Sequence, residues 1–242
     1  MTVIHRNIFK KYDIRGVAEG DDAFINEDVA QLVGQALGTY LQRFENTSKV
    51  VIGRDNRRTS YMLHKAALAG LVASGCHVVD LGLVPTPVVY WHAVHRSTVI
   101  APVGGLIITG SHVGPEYNGF KMCVGKRTIH GEQILLIRSF IENNAMAFGQ
   151  GSSEVDLSAY SHYIADLEPR LKASRPLKIV IDAGNGTAGL FAPTLFKKWG
   201  HEVETCLFCQ PDGNFPNHAP DPHNPAQLKA LSDKVREVRA DI

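Results

Sequence analysis

Leu177-Lys178-Ile179-Val180-Ile181-Asp182 runs directly into Ala183-Gly184-Asn185-Gly186-Thr187-Ala188-Gly189, and that junction limits the folds open to this chain. An apolar, β-branched run of this length reads as a buried strand. After the glycine-rich turn come a helical stretch reaching Trp199, a stop at Gly200, and a second strand from His201 to Leu207. Strand, helix and strand in that order make a βαβ unit, whose crossover joins parallel strands, so an α/β fold is expected. The spacing of the glycines fits neither the dinucleotide fingerprint nor a P-loop with its lysine, and a structural turn is expected there.

Upstream the alternation repeats. Val50-Val51-Ile52 reads as a strand, Tyr61 to Ser74 as a helix ended by Gly75, and His77 to Leu81 as the next strand. Pro85-Thr86-Pro87 breaks the chain before a short helix ending near His95. From Asn26 to Phe44 the residues Val29, Leu32, Val33, Ala36, Leu37, Tyr40, Leu41 and Phe44 follow the three-and-four spacing of one buried helical face. Asn26 suits the N-cap, and Glu27 and Asp28 occupy the first turn, where acids complement the helix dipole. Gly131 to Asn143 is helical, and Phe148 to Ser153 has the small polar residues of a linker. Two domains are therefore expected, residues 1–150 and 151–242, with further helices around Tyr160 to Leu171 and from Pro225 to about Val238.

With 242 residues and 44% hydrophobic content the chain can bury real cores. Its 25 basic and 24 acidic residues leave a net charge of +1 without a basic run, so neither nucleic acid nor an anionic membrane is an expected partner. Met-Thr-Val-Ile-His-Arg-Asn lacks a basic region followed by an apolar core, and no apolar segment approaches the ~20 residues that span a bilayer. A soluble, cytoplasmic protein is expected. Cys76, Cys123, Cys206 and Cys209 are too few and too scattered for a disulfide framework. Cys206-x-x-Cys209, with His201, His218 and His223 near it in the chain, invites a zinc or redox reading, but there is no second cysteine pair and ordinary thiols are expected. His92 and His95 share a helical face without an acidic third ligand and are expected at the surface.

Chemistry is expected between Gly105 and Lys121. Leu106-Ile107-Ile108 reads as a buried strand that stops at Thr109, which leaves Ser111 and His112 on a turn past its carboxyl end. That edge is where open α/β sheets bind ligands. Gly110 removes a side chain beside the hydroxyl, and Phe120 to Val124 brings Lys121 back toward the turn. A Ser/His hydrolase is one reading of the pair, although no Gly-x-Ser-x-Gly elbow is present and adjacent residues rarely set a base on the neighbouring hydroxyl.

The longer string is more specific. Thr109-Gly110-Ser111-His112 followed by Tyr117-Asn118-Gly119-Phe120-Lys121 resembles the phosphoserine loop of the α-D-phosphohexomutases, closest to the phosphomannomutase/phosphoglucomutase branch. Tyr12-Asp13-Ile14-Arg15-Gly16 resembles the amino-terminal signature of that family, Gly53-Arg54-Asp55 with a following Arg and Ser60 resembles another of its turns, and Asp182-Ala183-Gly184-Asn185-Gly186 resembles its second-domain turn. Val113-Gly114 departs from the family's usual Asn-Pro and makes a looser turn.

The resemblance implies two consecutive three-layer αβα domains with mixed, mainly parallel sheets, the second incomplete, and a magnesium loop lying past Ile242. It implies a mutase that interconverts 1-phospho and 6-phospho hexoses, of mannose or glucose, through a phosphoserine and a bisphosphorylated sugar. In that scheme Ser111 carries the phosphoryl group and ligates Mg²⁺, and Lys121 activates the sugar hydroxyl. Arg15 offers a guanidinium fork to phosphate oxygens, Tyr12 lines the cleft, and His112 orients the loop or assists proton movement. Hexose phosphates are the implied substrates and a hexose bisphosphate the activator. This chain alone is expected to be inactive, and a noncatalytic sugar-phosphate-binding fragment is the competing reading. Arg54 is expected to shape the cleft through Asp55 or backbone carbonyls, while Arg57 and Arg58 read equally well as a charged, solvated loop.

Overall fold

The computed structural model describes residues 4–98, 101–171 and 173–242, so the reading of Met1 to Val3 lies outside it. Its elements are β1 Ile14–Val17, α1 Glu27–Phe44, β2 Lys49–Arg54, α2 Ser60–Ala73, β3 His77–Leu83, α3 Thr86–His95, β4 Gly104–Ile108 and β5 Tyr117–Val124. There follow β6 Arg127–Thr128, α4 Glu132–Glu142, β7 Ser152–Val155, α5 Ala159–Leu167, β8 Lys178–Asp182, α6 Ala192–Lys198, β9 Glu202–Leu207 and α7 Lys229–Val238. By its contacts the chain divides into one unit of Met1–Gly110 with Glu116–Ala159 and another of Ser111–Pro115 with Tyr160–Ile242. None of the described helices is long and apolar enough to cross a membrane.

In the first unit the strand order is β1-β5-β4-β2-β3-β7, with β6 on β5. From β4 through β2 and β3 to β7 the pairs are parallel, whereas β5 runs antiparallel to both β4 and β1. Alternation decides the two faces. Val50, Ile52, Leu106, Ile108, Phe120 and Met122 pack in one cluster with residues of α1, α2 and α4, and α3 covers β2, β4 and β5. Helices α1 and α2 meet backbone to backbone: a Cβ at Gly34 would lie 2.1 Å from the Ala67 carbonyl oxygen, and one at Gly70 would lie 2.0 Å from that of Gln31. The expected cap forms, with Asn26 Oδ1 accepting from Val29 N at 3.0 Å.

The second unit pairs β8 with β9 in parallel around α6, and Gly200 turns the chain with φ +90°. Past α7, Asp241 N donates to Lys178 O at 2.7 Å and Val180 N to Ile242 O at 2.9 Å, so the last residues run along β8. The glycine-rich turn is structural, as expected: Asn185, 5% exposed with φ +57°, donates from its backbone N to Phe208 O and from Nδ2 to Gln210 O. Asp182 Oδ1 accepts from Gly184 N at 2.8 Å and faces His218 Nε2 at 3.1 Å.

Three expectations are corrected. Ser152 and Ser153, read as linker, belong to β7, whose four exposed residues pair with His77 to Asp80; that strand is made by its backbone and leaves no apolar alternation to read. His92 is buried, with Nε2 2.8 Å from Ala159 O, because a carbonyl 67 residues away supplies the partner an interior imidazole needs; His95 is exposed and stacks on Trp91. Cys206 and Cys209 are joined as a disulfide instead of standing as thiols. The left-handed Phe208 between them, φ +51°, turns the chain after β9 and leaves the two Cα atoms 5.8 Å apart, within disulfide reach.

Candidate active site

Strand β4 is buried along its whole length, which makes its carboxyl end a rigid place from which to present a turn. Thr109 N still bonds to Gly119 O at 3.0 Å, and then the chain leaves the sheet. A buried clamp holds Gly110. Asp55 Oδ2 accepts from Gly110 N at 3.2 Å and pairs with Arg57 Nε at 3.3 Å, while Asp55 Oδ1 accepts from Arg57 N and from Ser60 Oγ. Arg57 Nη1 donates to Tyr117 O at 2.9 Å. A Cβ on Gly110 would lie 2.4 Å from Arg57 Cζ, so only glycine fits against the guanidinium.

Arg57 is 2% exposed, and the solvated-loop reading fails for it. Burial draws its pKa below the usual arginine value, Asp55 opposes that pull, and Arg15 adds to it. Arg58 does sit outside, paired with Glu19. Arg54 Nη1 donates to Asp55 O at 3.1 Å, a tie to a backbone carbonyl of the kind expected of it. Asn118, fully buried, donates from Nδ2 to Thr59 Oγ1 and Ser60 Oγ and accepts from Gly119 N, tying the start of α2 to β5.

The pairing of β1 with β5 brings Arg15 opposite Gly119, and that of β5 with β4 sets Lys121 opposite Ile107. Arg15 and Lys121 meet on one acceptor that the sequence reading passed over. Asp13, 8% exposed, accepts at Oδ2 from Arg15 Nη2 at 2.5 Å and from Lys121 Nζ at 3.1 Å. The sequence signal for it is a carboxylate two residues before an arginine in Tyr12-Asp13-Ile14-Arg15-Gly16, just ahead of β1. Arg15 Nε is buried and has no hydrogen-bond partner among the described residues. Nearby Tyr90 has its pKa pushed up to about 12, first by burial, then by Cys123 and Asp13. Tyr12 is 65% exposed, with Lys11 Nζ 5.2 Å from its ring centroid and His130 stacked at 6.2 Å.

The loop Ser111–Pro115 groups with the second unit. Ser111 is exposed and left-handed, with φ +59°, a conformation uncommon outside glycine and asparagine and concentrated at functional turns. Its Oγ lies 3.2 Å from His112 Nδ1, and the His112 ring meets His223 edge-on at a centroid distance of 5.4 Å. Ser111 was the oxygen offered to a cation. Among the described residues no group of three or more His, Cys, Asp or Glu could hold a metal ion.

Two family models match the chain, and the first of them includes the Ser111–Pro115 loop. The family model for phosphoglucomutase/phosphomannomutase alpha/beta/alpha domain I matches residues 6–147, and that for alpha/beta/alpha domain II matches residues 158–242. A phosphomannomutase/phosphoglucomutase of Pseudomonas aeruginosa is 42% identical over 98% of this chain and 49% of its own length. A phosphoglucomutase of Neisseria gonorrhoeae is 40% identical over the whole chain and 51% of its own length. The crystal structure of a phosphoglucomutase/phosphomannomutase family protein from Burkholderia thailandensis superposes with TM-score 0.89 at 39% identity, covering 98% of this chain and 52% of that one. The chain spans about half the length of the relatives it matches.

Proposed function

We propose, from the premise that this chain belongs to the phosphoglucomutase/phosphomannomutase family, that the intact protein interconverts 1-phospho and 6-phospho hexoses of mannose or glucose. The relatives' names support an isomerase of sugar phosphates. The observation that carries the reading on this chain is the turn itself: an exposed serine hydroxyl on a left-handed residue, directly after a glycine gripped by half-buried Asp55 and buried Arg57.

Phosphoryl transfer asks mostly for positioning and for charges that offset those on the moving group. In the proposed cycle the bond from Ser111 Oγ to phosphorus breaks as a sugar hydroxyl oxygen bonds to phosphorus, which leaves a bisphosphorylated sugar. The other phosphoryl group then returns to Ser111 from the opposite end of the sugar. Lys121 Nζ, as the free amine, takes the proton of the attacking hydroxyl while His112 gives a proton to the departing Ser111 Oγ, and both transfers run backward in the return step. Arg15 presents its guanidinium to phosphate oxygens. His112 orients Ser111 Oγ through the 3.2 Å contact, and exposed Tyr12 offers its ring to the sugar. Mg²⁺, ligated in part by the phosphoserine, would supply further charge neutralisation, and a hexose bisphosphate would prime the serine.

The test is mass spectrometry of the purified intact protein beside an assay of mannose 6-phosphate and glucose 1-phosphate. One phosphoryl group on Ser111 is expected, and Ser111→Ala loses both that group and turnover while its melting is unchanged. Near-normal turnover by Ser111→Ala sinks the reading. An acyl adduct on Ser111 with an active-site probe would replace it with the hydrolase, and neither modification would leave sugar-phosphate binding alone.

A further inference from the structure

We propose that Asp13 is a positioning residue of the active site, which seats Lys121 and Arg15 on a single carboxylate oxygen and acts on the reaction through Lys121. The proposal rests on the mutase reading for its kinetic consequence and stands independently of it for the seating.

The geometry gives Asp13 little else to do. Its carboxylate is mostly removed from water, which is unfavourable for a charge unless the group is paired, and both of its described side-chain partners are these two cations. The backbone that carries the carboxylate is itself tied. Asp13 O accepts from Lys10 N at 2.9 Å, and Gly131 N donates to Lys11 O at 2.7 Å, so the turn before β1 is tied at both its ends. A rigid acceptor therefore faces two long, flexible donors from different strands. The side chains of Arg15 and Lys121 remain 20% and 24% exposed, enough to reach a ligand while their stems are held.

Charge argues the same way. Arg15 and Lys121 stand together, and Arg15 is also close enough to weigh on Arg57. Without an anion between them, the two half-buried cations repel and the more flexible lysine swings into water. With Asp13 in place the resting trio keeps one net positive charge, which attracts a phosphate, Nζ stays where the strand pairing puts it, and the ammonium gives up its proton to solvent before it serves as base. Holding a reacting group in place before substrate arrives is worth much of a rate, since displacement by about 1 Å can cost roughly a hundredfold.

Asp13→Asn in the intact protein tests this, because the amide keeps the shape and removes the charge. Reductive methylation at fixed pH, read by mass spectrometry residue by residue, is expected to rise several-fold at Lys121 and to stay unchanged at exposed Lys126. Turnover of glucose 1-phosphate should fall roughly a hundredfold in kcat with a much smaller change in KM. In a Lys121→Gln background the same substitution should cost almost nothing further, which a general structural role would not produce. If labelling rises at every lysine the variant has unfolded, and Asp13→Glu takes its place, with an expected loss of about tenfold as the longer side chain shifts Nζ. Unchanged labelling of Lys121 overturns the seating, and faster labelling with normal kcat overturns its catalytic consequence. A wild-type protein with no mutase turnover removes the mutase reading, while the labelling still decides whether Asp13 holds the lysine.

Discussion

Two turns in this molecule are built alike and used in opposite ways. Thr109-Gly110-Ser111 follows β4, and Ala183-Gly184-Asn185 follows β8; in each a glycine precedes a left-handed residue, with φ +59° at Ser111 and φ +57° at Asn185. A carboxylate braces each, Asp55 at Gly110 N and Asp182 at Gly184 N. The difference lies in where the left-handed side chain goes. Asn185 is buried and spends its amide on Gln210 O and on Asn217, so its turn is closed chemically. Ser111 is exposed, and its Oγ lies 3.2 Å from His112 Nδ1 on the next residue. The same backbone device holds structure where its side chain is buried and presents a side chain to solvent where it is not.

Exchanging the residues breaks the comparison most severely. Ser111→Asn keeps a residue that tolerates the left-handed region but deletes the hydroxyl. It should fold with an unchanged melting temperature, take up no phosphoryl group and lose turnover to the detection limit in the sugar-phosphate assay. Gly110→Ala comes next. Its methyl group must displace a buried guanidinium from Asp55 and Tyr117, so about 1–3 kcal/mol of stability should be lost in denaturant titration, together with part of the turnover. Arg57→Ala in the same background should recover some of that stability, since the obstacle is gone; no recovery would mean that the clash is not the cause.

Asn185→Ser reverses the exchange in the second unit. The shorter hydroxyl cannot reach both Gln210 O and Asn217, and about 1–2 kcal/mol should be lost with phosphoryl uptake at Ser111 intact. The smallest effect concerns pH. Burial alone would lower the His218 pKa, but the Ala219 carbonyl and the Asp182 carboxylate together raise it above 6.5. A raised folded value means that the stabilisation is fully present below 6.5 and is lost as pH rises through the higher folded value. Melting curves of the intact protein should show this fall, and Asp182→Asn should flatten it; an unchanged slope would show that the pair does not contribute.

What could be read from the sequence followed periodicity and chain punctuation. The α1 face and its Asn26 cap, the stop at Gly75 and the parallel pair β8 and β9 are local patterns, and they stand as read. Partners distant in the chain were not readable. Arg57 looked like part of a charged loop because Tyr117 O lies 60 residues away, and His92 looked superficial because Ala159 O lies 67 away. Nothing local marks Asp13 as a shared acceptor, since its second cation is 108 residues on. Strand β7 has four exposed residues and is defined by a neighbour's backbone, which no side-chain pattern records.

The pairing of β1 with β5 also sets an order of events during synthesis. Ile14 meets Phe120, so the amino-terminal strand leaves the ribosome about a hundred residues before its neighbour exists. At typical elongation speeds it waits roughly 5 to 20 seconds. During that interval Asp13 and Arg15 have no β5 to lie against and no lysine to hold, while α1, β2, α2 and β3 can already collapse around one another. The earliest residues of the site to be made are thus the last to be seated, and a chain arrested before residue 117 carries them as an unpaired, solvent-facing strand.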